Sequence, residues 1–195
     1  MRFRVIYPEN DALPFVLEVA SGKNSPGSLL GVILLGLVLF LAGLTAACQS
    51  KLNNPQELVP FLQVELPGWK LVKGYPRSKR MQDKKRSFLQ AESLFSSGKS
   101  TINVLIKAGD LAKEVAMCRQ FREDNSSQKE YCRKIRIQGF EAVEMVSGKL
   151  KSAFLFIPLG DKCLVTMKAT NLENTKALKE LGNKINLRQL AALAK

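Results

Sequence analysis

The chain contains no histidine, and it is poor in acids, with 17 Asp and Glu against 30 Lys and Arg in 195 residues. Without histidine there is no Ser-His-Asp or Cys-His catalytic pair, and no imidazole-ligated zinc or copper centre. Cysteine is sparse too. Cys48, Cys118, Cys132 and Cys163 include no CxxC spacing, which argues against a tetrathiolate metal site. The sequence therefore suggests no catalytic residue, no metal and no cofactor, and it is read as non-enzymatic. Residues 1–47 carry no net charge, so the whole formal charge of +13 falls on residues 48–195. Such a surplus favours anionic partners, or simply a soluble basic surface.

Long hydrophobic runs are also scarce. The one present, LLGVILLGLVLFLAGLTAA at 29–47, is uncharged and nineteen residues long. That length just spans a bilayer core of about 30 Å and somewhat exceeds the apolar core of a secretory signal. Its ending favours the cleaved signal, with an uncleaved membrane anchor as the alternative. GLTAAC (43–48) places Ala46 and Ala47 before Cys48, the small-residue pattern that signal peptidases accept. It resembles the lipobox of bacterial lipoproteins, which implies recognition through Leu44, Thr45, Ala46 and Ala47, a diacylglyceryl group on Cys48, and cleavage just before it. Thr45 stands where leucine is commonest in that motif. The 28 residues ahead of the run form an unusually long leader, which predicts a translation start inside it, near Val16 or Val19. The polar QSKLNNPQ that follows suits a tether. The expected organisation is a signal peptide at 1–47, a lipid-anchored tether at 48–56 and one domain at 57–195.

Within that domain, NPQELVPFL (54–62) predicts a short helix capped by Asn54, with Pro55 in its first turn. LPGW leads into a first strand at about 69–74. The segment 70–86 holds Lys70, Lys73, Arg77, Lys79, Arg80, Lys84, Lys85 and Arg86 against Asp83 alone, and it reads as a loop between strands. Alternation predicts strands at 86–95 and 100–108 joined by a turn at 96–99. The period then lengthens, with Leu111, Val115 and Cys118 on one helix face. After a polar loop at 122–130 come strands at 134–138, a hairpin at 140–158 turning at Ser147-Gly148, and a strand at 161–169. Two helices close the chain, one striped by Leu178, Leu181 and Ile185, the next capped by Asn186. The expected fold is α+β, a single antiparallel β-sheet packed by helices on one face and preceded by the signal or anchor segment.

ELPGWKLVKG, INVLIKAGD, IQGFEAVEM and CLVTMKATNLENTKALKELGNKINLRQLAAL together resemble a group of uncharacterised bacterial lipoproteins of the periplasm or cell surface. The shared positions are Trp69, Val104, Ile106, Gly139, Leu178, Leu187 and Leu190. Lys107 and Asn186 stand where that group often has Asp. The resemblance implies the fold and the anchor, and no activity.

Beyond the membrane a disulfide becomes available. Cys118–Cys132, closing the polar loop, competes with Cys118–Cys163 and with free thiols. The basic 70–86 segment suits an anionic lipid or polyanion, or is a solvated loop. Tyr75 is its single aromatic, so no nucleic acid is expected. Three functional readings follow: an anchored, non-enzymatic binding or structural domain of the envelope; a carrier with an apolar cavity lined by Phe154, Phe156, Val165 and Met167; and an enzyme using carboxylates among Glu141, Glu144 and Asp161.

Overall fold

The alternating segments pair as antiparallel strands throughout. The computed structural model describes residues 52–83, 86–124 and 130–195; the leader with Leu44–Ala47, Cys48, Lys84 and Lys85 lie outside the described residues. The strands are β1 Lys70–Leu71, β2 Arg77–Asp83, β3 Arg86–Ser97, β4 Ser100–Gly109, β5 Glu130–Ile137, β6 Phe140–Ser147, β7 Ser152–Leu159 and β8 Cys163–Thr170. They form one open antiparallel sheet in the order β1-β3-β4-β8-β7-β6-β5, with β2 also paired to β3. A few short helices accompany it: a 3₁₀ helix at Pro55–Leu62, α1 at Ala112–Arg119, α2 at Lys176–Lys184 and α3 at Leu187–Leu193.

The 70–86 segment is not the loop that its charge suggests. β1 and β2 run end to end along the same side of β3, with Leu71 opposite Phe95 and Arg77 opposite Glu92. Three more residues lie between those pairs on the outer strand than on β3. The surplus forms the turn at 73–76, after Val72 donates its N–H to Leu94 O at 2.8 Å. A basic sequence is what an outermost strand tolerates, because charge there discourages pairing with another sheet.

Strand alternation divides the sheet into two faces. On one, Val104, Ile106, Leu155, Ile157, Val165 and Met167 form a sealed core with Leu58 and Leu62 of the 3₁₀ helix, Leu178 and Leu181 of α2, and Leu187 and Leu190 of α3. The caps follow the sequence signals: Asn54 accepts from the Gln56 N–H at 3.0 Å and Asn186 from the Gln189 N–H at 3.1 Å. Pro60, inside the first of these helices, has no N–H to give to an α-helical ladder.

The β5–β6 hairpin turns through Gln138 (φ 51°) and Gly139 (φ 87°), the pair of positive angles that a two-residue I′ turn requires. It also anchors α2. The Gln138 side-chain amide donates towards the carbonyls of Gly182, Asn183 and Ile185, at 3.0, 3.0 and 2.6 Å. Those are carbonyls at the helix end, which have no intrahelical partner. Gly182 lets the helix lie close to the sheet, since a Cβ there would stand 3.3 Å from Ile137 Cγ2 and 3.5 Å from Ile157 Cδ1.

The helices do not keep to one face, as the sequence reading expects. The chain leaves β4 at Gly109 and places α1 on the opposite side. There Leu111, Val115 and Cys118 pack on Leu164, bordered by Phe88, Phe121 and Phe156. Leu164 alternates out of phase with Cys163 and Val165, so its side chain offers α1 an apolar seat.

Candidate functional site

The face that α1 covers only in part carries the most distinctive surface chemistry. Residues directly opposite one another in an antiparallel sheet share a face. One row across it reads Lys79, Gln90, Lys107, Leu164; the next reads Arg77, Glu92, Leu105, Thr166, Phe156, Val143; a third reads Leu94, Asn103, Lys168, Phe154, Met145. Lys70 extends the face at one edge, and Lys134 and Arg136 at the other. Glu92, Glu130 and Glu141 are the acids on the strands of this face whose side chains are described.

Rings and cations interleave here. The Lys107 ammonium lies 5.3 Å from the Phe88 centroid and that of Lys168 lies 5.7 Å from Phe154. Phe154 stacks with Phe156 at 6.2 Å, and Phe156 with Phe121 at 5.8 Å. Leu94, Leu105, Met145 and Phe154 belong to neither packed cluster and are half-buried. A surface of this kind holds an anion through its ammonium groups and a flat or apolar group through its rings.

The basic residues singled out in the sequence do not act as one patch. Lys70, Arg77 and Lys79 share this face. Arg80 is on the other, donating to the Asn53 carbonyl, and Lys73 sits exposed at the turn. Arg77 is held by the Gly74 carbonyl at 3.1 Å and stacks over Tyr75 at 4.5 Å. Arg86 is matched by Glu114 of α1 at 3.0 Å. Lys107 and Lys168, which sequence reasoning passed over as functional residues, are single charges in otherwise uncharged strands. Pairing of β4 with β8 places them on the same face, in the first and third of those rows, each beside its own phenylalanine. The available signal was a lysine at an outward position of each strand.

The second charged cluster is buried. Glu144, 0 % exposed on the core face of β6, accepts from the Thr175 hydroxyl at 2.6 Å and pairs with Arg133 of β5 and with Lys179 of α2, the latter at 3.3 Å. Burial alone would push its carboxyl up. The hydrogen bonds from Thr175 and Arg133 and the charges of Lys179 and Arg133 outweigh burial and leave it below the ordinary value. Both carboxylate oxygens are occupied, so this is a fastening between sheet and helix. Glu141 points from the opposite face of β6, and exposed Asp161 is paired with Arg119 at 2.8 Å. The three carboxylates considered for catalysis are therefore not brought together.

The cavity expected of a carrier is not formed by the residues named for it. Val165 and Met167 lie in the sealed core, while Phe154 and Phe156 are on the other side of the sheet. Two open clefts do occur, of about 390 and 320 Å³. They adjoin at Val64 and Lys184 and are bordered by Phe61, Trp69 and Leu71.

Nor does the structure hold the Cys118–Cys132 bridge: Cys118, Cys132 and Cys163 are free thiols. Cys118 is turned into the cluster under α1, and Cys132 sits on β5, where its backbone pairs with Asp124. Burial raises all three thiols above the ordinary value, with Glu114 adding to it at Cys118 and Asp124 and Glu123 at Cys132; Cys163 is pushed up to about 12. None is the lowered-pKa thiol that nucleophilic chemistry needs. Among the described residues no group of three or more Cys, Asp or Glu is placed to hold a metal, and no helix is long and apolar enough to cross a membrane. No family model, curated protein or solved structure matches the chain.

Proposed function

We propose that the chain is a lipid-anchored, non-enzymatic binding domain of the bacterial envelope, held to a membrane through acyl chains on Cys48. Its partner is an anionic component of that envelope, recognised by phosphate or carboxylate groups. The observation that carries the binding half is the sheet face on which Lys107 and Lys168 stand over phenylalanine rings, with Arg77 and Lys79 beside them. The anchoring half rests on GLTAAC at 43–48. Two or more acyl chains make such attachment durable, where one binds only marginally.

Mass spectrometry of the protein extracted from native membranes tests the anchor. The expected species begins at acylated Cys48, and an intact leader overturns it. Binding of the acyl-free 49–195 chain to anionic vesicles or to a soluble polyanion tests the surface. It should weaken steeply as salt rises, because exposed charges are screened beyond about 8 Å at physiological ionic strength. Binding insensitive to salt removes the electrostatic reading.

A further inference from the structure

We infer that the β1–β2 edge of the sheet rests against an anionic lipid bilayer, held there by the short length of chain that joins it to Cys48. The inference depends on the acylation proposed above and adds an orientation to it. The folded domain begins earlier than the tether reading allows: Leu52 is only 6 % exposed and belongs to the main core. The next residue, Asn53, is fastened to the outer strand, its carbonyl accepting from Arg80 of β2. Four residue steps separate Cys48 from Leu52. Fully extended, they reach at most about 14 Å.

Such a tether keeps the outer strand close to the membrane, because Asn53 meets that strand through Arg80. Asn53 meets Arg80 on the core face of β2, and the same outer edge carries Lys70, Arg77 and Lys79 on its other face and Lys73 at the turn, all exposed. Among the described residues none of the four is in a salt bridge with a carboxylate. The occupant that fits is an anionic bilayer surface, which matches their sign and lies within the tether's reach. It would also cover an outer strand whose free backbone groups otherwise invite pairing with another chain. Each basic residue near an anionic membrane adds about fivefold to surface affinity. The opposite edge, β5, is six strand spacings away along the sheet, roughly 29 Å at about 4.8 Å each. The inner part of the open face, with Lys107 and Lys168, then stands upright on the membrane and remains available to a ligand, while Arg77 and Lys79 at its rim are taken up by the bilayer.

Covalent lysine footprinting of the acylated full-length protein tests this. The protein is reconstituted into vesicles of phosphatidylcholine with or without phosphatidylglycerol, acetylated for limited times, and read by mass spectrometry against the same protein in detergent. Lys70, Lys73 and Lys79 should be acetylated several-fold more slowly on phosphatidylglycerol vesicles, and Lys134 at an unchanged rate. A long Gly-Ser insertion between Ser50 and Lys51, or the exposed-site triple variant Lys70→Glu, Arg77→Glu, Lys79→Glu read at Lys73, should abolish the difference while the protein still floats with the vesicles. Equal rates at Lys79 and Lys134 in a floating protein overturn the orientation and leave the anchor standing. Protection centred on Lys107 and Lys168 overturns it as well, in favour of the open face. A protein that lacks an acyl group on Cys48 and does not float removes both readings, and its mass identifies that outcome.

Discussion

One side of the sheet is a sealed apolar core and the other a half-covered mixture of rings and ammonium groups, although the same strands supply both. The difference lies in which helices reach each side. The 3₁₀ helix, α2 and α3 all gather on the core face, where Leu58, Leu181 and Leu190 are fully buried. Among the described residues the other face has α1 alone, which seats itself on Leu164 and leaves Met117 63 % exposed to solvent. Hydrophobic residues on a strand are therefore not evidence of a core by themselves. Phe154 and Leu155 are neighbours in sequence and meet opposite environments.

The comparison breaks most easily at single leucines. Leu155→Ala, on the core face, should cost about 3–4 kcal/mol, since it removes a fully buried side chain and leaves a cavity. Leu105→Ala, half-buried on the open face, should cost under about 1 kcal/mol. Denaturant unfolding of both variants measures the contrast, and equal losses would mean that the open face is covered by something else.

Next in size is the buried carboxylate. Removing both cations by Arg133→Met and Lys179→Met strands Glu144 in the core, at a cost of about 3 kcal/mol near neutral pH. The effect has a pH signature. Because the folded state holds the Glu144 carboxyl below its ordinary value of 4.5, its contribution is fully present above that range and fades as pH falls through the lowered folded value. Glu144→Gln should flatten the acid limb of the stability curve, and an unchanged limb would show that other groups carry it.

Gly182→Val tests how closely α2 approaches the sheet. The new methyl groups meet Ile137 and Ile157, so a loss of about 1–3 kcal/mol is expected by thermal unfolding. The smallest effect on stability belongs to Lys107→Ala with Lys168→Ala, within about 0.5 kcal/mol. The same pair should lower affinity for anionic vesicles or a soluble polyanion at low salt. A binding loss without a stability loss would separate the working face from the packed one.

Much of this was legible in the residues. The β3–β4 hairpin, α1 after Gly109, the β6–β7 hairpin and both terminal helices stand where alternation, period and the Asn caps put them. β2 was hidden because RSKRMQD lacks the apolar alternation of a half-buried strand, and an outer strand needs little of it. Helix placement was hidden as well, because period 3.6 says that a helix has an apolar side without saying which sheet face receives it. Gln138 illustrates the long-range part: its partner carbonyl on Gly182 is 44 residues away, and nothing local to the hairpin announces it.

By itself, the sequence settled most of the local conformations outside the basic segment, the basic charge of the domain and the absence of imidazole chemistry, because these depend on residue identity and near neighbours. It also supplied the motif on which the proposed anchor at Cys48 depends. Only the tertiary structure decided that the basic segment is an outer strand, that isolated lysines from β4 and β8 share a face and each stand over a phenylalanine ring, and that Leu52 leaves so short a reach back to Cys48. Those facts arise from strand pairing and core burial between residues distant in the chain, where local propensity carries no information.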